Sequence, residues 1–379
     1  MTTTSEPMTA PAGLKGVIVT ETELGDVRGS EGFYHFRDYS AIELAKSCTF
    51  EQVWYLMLYG VLPAAGSPEL ADFTARIAQY RELPQRVLGL LRDAVTPHAD
   101  PLYALRLALS ALAIEDDVQP MYDTDEQTRL RQAERYAAIV PTVLAAAYRL
   151  GRGEGPIPAD PRLSHTADYV RMATGQLPSA ADERALETYL IGTIDHGFNA
   201  STFTSRVIAS TGTDLISCLV GAMGSFLGPL HGGAPSRALA ALDEIGDPAN
   251  TAQWVRAQIA GGRKIMGFGH AVYRTHDPRS ELLKSIVAKR DDPLVRQAIA
   301  VEDAVERTLA ELKPGYPLYA NVEFYAGVLM RLVGLDDAMF TPTFCVARVV
   351  GWSANALEEA RRGKIIRPSA KYVGPPVRT

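Results

Sequence analysis

Only three of the 379 residues are cysteine, Cys48, Cys218 and Cys345, set far apart with no CxxC pair. A disulfide framework and a zinc knuckle are thereby excluded, and a reducing, cytoplasmic setting is expected. Positive charge is in deficit, with 38 Lys and Arg against 44 Asp and Glu and a formal net charge of -6. Such a surface exerts no long-range pull on nucleic acid or anionic lipid, so an anionic substrate has to meet local arginines. Long apolar runs are missing too: the nearest, 217–230, is rich in glycine and well short of the roughly twenty residues that cross a bilayer. It is predicted to be a buried helix, and no membrane partner is expected. Alternating, strand-like sequence is scarce, and its best case, 16–22, is predicted to pair with 32–37 as a minor N-terminal β-hairpin. Residues 1–12 lack the basic start and apolar run of a secretory signal and are expected to be a disordered tail.

What is present is helix punctuation. Ser67-Pro68, Asp100-Pro101 and Thr341-Pro342 each place a cap residue before a proline, whose fixed φ and missing N–H suit the first helical position. Thr49-Phe50-Glu51-Gln52 has the capping-box form, with Val53, Trp54, Met57 and Leu58 following until Gly60 stops the run. Over 179–197, Ser179 is the expected cap, Asp182 and Glu183 lie at the positive end of the dipole, and the helix delivers His196 to a turn. The alanine-rich stretch 127–150 has a helical period interrupted by Pro141, which predicts a kink or a break. With 47% apolar residues the chain has ample core for two domains or one large lobed one, and the fold class is predicted to be all-α.

Four short segments carry chemistry. His231 stands in Gly228-Pro229-Leu230-His231-Gly232-Gly233, where glycines let the backbone approach a ligand, although a histidine at a glycine-rich helix junction reads the same way. In 264–279, backbone donors around Gly267 and Gly269, the His270 imidazole and the guanidinium forks of Arg274 and Arg279 fall close together. No strand-helix-strand unit surrounds these glycines, which disfavours a dinucleotide fold. His196 follows Asp195 in a segment that suits a buried ion pair, a helix C-cap or a substrate contact. Asn321 is the expected cap of a helix with Glu323 in its first turn, where the dipole keeps a carboxylate ionised; this suits a base, or an ordinary first-turn acid. His35, His98, His165 and His276 are expected to be structural or surface residues, and Glu115-Asp116-Asp117 a solvated loop.

Together these segments resemble the citrate synthase family over nearly the whole chain. Residues 267–279 match its signature GxGHxVxRxxDPR at every fixed position, and GPLHGG and NVEFYAGV match two further active-site blocks. The resemblance implies a large helical domain, 13–220 and 327–379, with a smaller helical domain, 221–326, inserted and closing over the site. It implies condensation of acetyl-CoA with oxaloacetate through a thioester enol or enolate, then hydrolysis to citrate and CoA. Glu323 would take the methyl proton, His231 would donate to the thioester oxygen, and His270 would donate to the keto oxygen. Arg279, Arg348 and Arg367 would hold the oxaloacetate carboxylates with His196 as a further contact, Arg367 reaching across a homodimer. Lys264, Ile265, Met266, Gly267, Phe268, Gly269, Arg274 and Asn321 would meet CoA. No metal or redox cofactor is required.

Two departures mark this chain. The base in the family is usually aspartate, and Thr193 stands where the family often has a histidine. Two further functions share the motifs: 2-methylcitrate synthesis from propionyl-CoA, and a weakly active CoA-binding regulatory paralogue.

Overall fold

Helices make up nearly all the regular structure between Ala41 and Arg362, as their caps dictate. The computed structural model describes residues 9–228, 231–232, 235–270, 272–315 and 318–377; residues 1–8 of the expected tail, and Pro229, Leu230, Gly233, Ala234 and Ala271 of two motif blocks, lie outside the described residues. Thr49 and Gln52 form the full capping box of helix Phe50–Tyr59, which ends at Gly60 in the left-handed conformation. Such a cap stabilises its helix by about 1 kcal/mol. Ser67, Asp100 and Ser179 likewise cap helices Pro68–Tyr80, Pro101–Glu115 and Ala180–Thr193. The expected helix over 217–230 is Leu215–Phe226.

Three readings are corrected. Helix Glu126–Gly151 runs unbroken through Pro141. That residue lies within a fully buried stretch, packed by neighbouring helices, and this packing offsets the hydrogen bond that proline removes. Thr341 caps nothing, because helix Phe340–Arg362 begins upstream of it, directly after the 3-10 turn Asp337–Met339. Pro342 falls in the first turn, where N–H groups have no intrahelical acceptor and its lack of one is harmless. The hairpin has a different register: β1 (Gly25–Arg28) pairs antiparallel with β2 (Phe33–Phe36), and β3 (Tyr39–Ser40) adds to β2. Val17, Ile18 and Val19 form no strand and are exposed.

Helix Phe340–Arg362 is buried over most of its length and packs against six other α-helices, among them Ala180–Thr193, Ala200–Ala209 and Leu215–Phe226. Its apolar residues, with Trp54, Tyr136 and Leu190, form one continuous core. Each fully buried large side chain contributes about 1.5–3 kcal/mol relative to exposure. The three cysteines are free and buried. No helix among the described residues is long and apolar enough to cross a membrane. Of the residues expected to be structural, His165 is sealed against Phe50 and Trp54, and Asp116 forms an ion pair with Arg135 rather than a free loop acid.

Candidate active site

The glycine-marked loop is pinned to the segment that precedes Glu323. Gly267 and Gly269 both have φ +83, a conformation costly for any other residue. The Gly269 N–H donates to the Tyr319 carbonyl (2.8 Å), the Asn321 N–H donates to the Gly267 carbonyl (2.8 Å), and Asn321 Nδ2 donates to the Gly269 carbonyl (2.9 Å). Phe268 and Ala320 thus form an isolated antiparallel bridge. Beyond this staple, His270 Nδ1 accepts the amides of Val272 (3.0 Å) and Tyr273 (3.1 Å). Two donors aimed at Nδ1 assign the ring proton to Nε2. Burial first, then the charge of Arg279, lowers the His270 pKa to about 4, so the ring is neutral at pH 7.

Asp277 caps helix Pro278–Val287 and grips Arg279, accepting from its Nε at 3.0 Å and its Nη2 at 2.8 Å. Asp277 also accepts the amides of Arg279 (3.0 Å) and Val322 (3.1 Å). Burial works to raise its pKa, but the Arg279 charge and these hydrogen bonds hold it below the usual carboxylate range. Arg279 Nη2 lies 3.3 Å from His270 Nε2. With Nε2 protonated, two donors converge there, as a shared oxygen acceptor would require.

Helix Ala180–Thr193 ends as expected just before His196, whose ring lies edge-on to His270 at 5.4 Å between centroids. Its Nε2 shares a 2.9 Å hydrogen bond with the Tyr273 hydroxyl, and burial with nearby Arg279 holds it neutral. Arg348 donates Nε to the Thr193 carbonyl (2.9 Å) and lies over the Phe344 ring. Its terminal nitrogens form no hydrogen bond to a described residue. Burial lowers its pKa to about 10, which leaves it charged at neutral pH, with Asp195 opposing the shift. The Thr193 hydroxyl turns back to the Tyr189 carbonyl (2.8 Å), so only the backbone of this residue serves the cluster.

His231 follows helix Leu215–Phe226 in a turn and packs edge-on against Phe226. Ser201 approaches His231 Nε2 with its Oγ at 2.8 Å and its amide at 3.4 Å, and Trp352 Nε1 donates to the Ser201 Oγ at 3.0 Å. The amide has only a proton to offer, so Nε2 is the acceptor and Nδ1 carries the imidazole proton. Burial, with Arg348, lowers the His231 pKa to about 4. Sequence reasoning missed Ser201, Trp352 and Tyr273. Ser201 lies beside Asn199 in the His196 segment, Trp352 one turn after Arg348, and Tyr273 inside the signature, but none carries a charge or a motif position that singles it out.

Asn321 caps helix Val322–Leu332 as expected and accepts the Glu323 amide at 3.1 Å. The expectation that the dipole keeps Glu323 ionised is corrected. The residue is half-buried, yet Oε2 is sealed from solvent without a hydrogen-bond partner. Burial, aided by the negative charge of Asp277, raises its pKa from 4.5 to about 7 against the pull of Arg279 and Arg348.

Lys264 and Arg274 are exposed, Ile265 is buried, and Met266 and Phe268 are half-buried. A cavity of about 170 Å³ opens between Arg274, His270 and the 318–321 segment. A larger one of about 660 Å³, between Glu82, Arg92 and Ile157, contains none of the chemistry. Arg367 is exposed in the extended C-terminal segment, whose Ile366 amide donates to Ser210 Oγ (3.0 Å). Among the described residues no group of three His, Cys, Asp or Glu is arranged to hold a metal ion.

The family model for the citrate synthase C-terminal domain matches residues 13–369. A 2-methylcitrate synthase of Mycobacterium tuberculosis is 36% identical over 380 residues, covering 98% of this chain and 94% of the relative. A citrate synthase of Deinococcus radiodurans is 34% identical over 365 residues, covering 96% and 95%. The solved ternary complex of carboxymethyl coenzyme A and oxaloacetate with the Thermoplasma acidophilum citrate synthase superposes with a TM-score of 0.88 at 29% identity, covering 97% of both chains.

Proposed function

This chain belongs to the citrate synthase family, and we propose on that footing that it condenses acetyl-CoA with oxaloacetate to citrate and CoA. The observation that carries this reading is the sealed, unpartnered Glu323 oxygen within reach of the charges of Arg279 and Arg348. A carboxylate titrating near 7 is ionised often enough to accept a methyl proton and basic enough to hold it. His231 Nδ1–H meets the thioester oxygen as the enolate forms, and the new carbon–carbon bond closes on the keto carbon of oxaloacetate. His270 Nε2–H and Arg279 stabilise the alkoxide, and water then cleaves the thioester and releases CoA. Neutral imidazoles suit this role, because they donate without adding cations beside the arginines. Arg348 and Arg279 hold the carboxylates, with His196 as a further contact. CoA meets Lys264 to Gly269, Arg274 and Asn321 in this reading; of these, Gly269, Arg274 and Asn321 line the small cavity, and Gly267 and Gly269 are already bonded to Tyr319 and Asn321.

Closure of 221–326 over the rest of the chain, which excludes water during condensation, belongs to the same proposal. So does a homodimer in the cytoplasm, working in the tricarboxylic acid cycle. Tyr103, Leu107 and Ile114 form an exposed apolar stripe on helix Pro101–Glu115, which a second copy would cover. Mixing Arg367→Ala with His270→Ala subunits should then restore activity through hybrid sites, and subunits that exchange without restoring it would refute the shared site.

The 36% identity to a 2-methylcitrate synthase supports propionyl-CoA as the second reading. One methylene in an apolar pocket changes selectivity by about 1–3 kcal/mol. Thiol release with oxaloacetate, comparing acetyl-CoA with propionyl-CoA, separates the two. Release from neither by folded protein would refute both and favour a CoA-binding paralogue.

A further inference from the structure

The turn that joins β1 to β2 reaches the loop of His270. The Arg274 amide donates to the Gly29 carbonyl at 3.0 Å, and the bare Gly29 Cα lies against the Val272 peptide. A Cβ on residue 29 would come within 2.8 Å of the Val272 carbonyl carbon, closer still to its oxygen, and 2.9 Å from its Cγ1. Overlaps of that size force something to move, and here the nearest atoms are backbone. Gly29 is outside the left-handed region, so its own conformation makes no demand for glycine. The missing side chain serves its neighbour. Gly32, at the other end of the turn, differs: its φ of +63 itself favours glycine, and a Cβ there would lie 2.9 Å from the Thr275 Cγ2 methyl.

The Val272 peptide is also the one that holds His270. Its carbonyl meets Gly29, and its own amide, with that of Tyr273, meets His270 Nδ1. We propose that Gly29 is a positioning residue for the condensation: the 29–32 turn seats the 272–274 backbone where its amides fix the His270 tautomer and aim Nε2–H at the keto oxygen. The inference rests on the donor role proposed for His270. Displacing a catalytic donor by about 1 Å costs up to about 100-fold in rate.

Gly29→Ala should therefore lower kcat about 10- to 100-fold. Oxaloacetate affinity by calorimetry should stay within about threefold, because Arg279 and Arg348 are untouched, and the unfolding temperature should match wild type. Ser30→Ala, exposed in the same turn, should leave kcat unchanged. If Gly29→Ala does not fold, Gly29→Ala/Val272→Ala relieves the side-chain overlap, keeps the carbonyl overlap and carries the same test. Wild-type kcat in the folded variant would overturn the proposal, and so would parallel losses of kcat, oxaloacetate binding and stability, which mark general distortion. His270→Asn in the same assay separates the two readings: if it retains turnover, the donor role itself is lost, and if it alone abolishes turnover, only the role of Gly29 is lost.

Discussion

Asp277 and Glu323 are two carboxylates at two helix N-termini, both beside Arg279, and they titrate in opposite directions. The dipole favours the charged form of each by about 0.3–1 kcal/mol, so it does not tell them apart. Partners do. Asp277 accepts two guanidinium and two amide hydrogen bonds, whereas Glu323 Oε2 is sealed with none. Burial without a partner outweighs the dipole at Glu323, and burial with four partners loses to them at Asp277. One carboxylate is thus a permanent anion that orients Arg279, and the other is free to exchange a proton.

Removing the exchangeable carboxylate tests the contrast hardest. Glu323→Gln should lower kcat by about 10²–10⁴ while oxaloacetate binding stays near wild type. Near-normal thiol release would give the base role to another residue. Asp277→Asn should act on folding instead, because it leaves Arg279 buried without its anion, and should cost about 3–5 kcal/mol in urea unfolding. A change under 1 kcal/mol would break the contrast from the other side.

Stability should move in the opposite direction at Glu323. Its folded pKa is raised from 4.5 to about 7, so the penalty is absent below 4.5, grows between the two values and is complete above 7. Glu323→Gln should therefore be more stable than wild type at pH 8, by up to roughly 3 kcal/mol, with the gain gone at pH 4. Equal stability of the two proteins at both pH values would mean that Glu323 is not desolvated. Glu323→Asp is the finest probe, since the shorter arm should leave the base about one methylene from its proton and lower kcat about tenfold. Faster turnover would instead show the native glutamate to be a handicap.

Much of the fold was legible because capping is local: Ser67, Asp100, Ser179 and Asn321 each cap the helix their sequence marks. The failures depended on distant partners. Pro141 lies in an unbroken helix because other helices enclose it, and the strand pairing follows the 29–32 turn rather than the apolar alternation of 16–22. The motif segments carry His196, His231, His270, Arg279 and Glu323, whereas Arg348 entered only through the family resemblance. The protonation state of Glu323 was not readable, because Arg279, Asp277 and Arg348 come from other segments, and no spacing within the NVEFY block reports how deeply an oxygen is sealed.

The bridge between Phe268 and Ala320 has a consequence for motion. It splices the strand of chain ending at His270 to the one leading into Glu323, and the Asp277 bond to the Val322 amide adds a second splice. A shift of either segment is therefore passed through backbone to the other, so the proposed donor and the proposed base are disturbed together. The His231 ring is anchored separately, on Ser201, which Trp352 holds in turn. Breaking this splice, for instance with Asn321→Ala, would thus be felt at His270 and Glu323 at once while the Ser201 anchor of His231 stays intact.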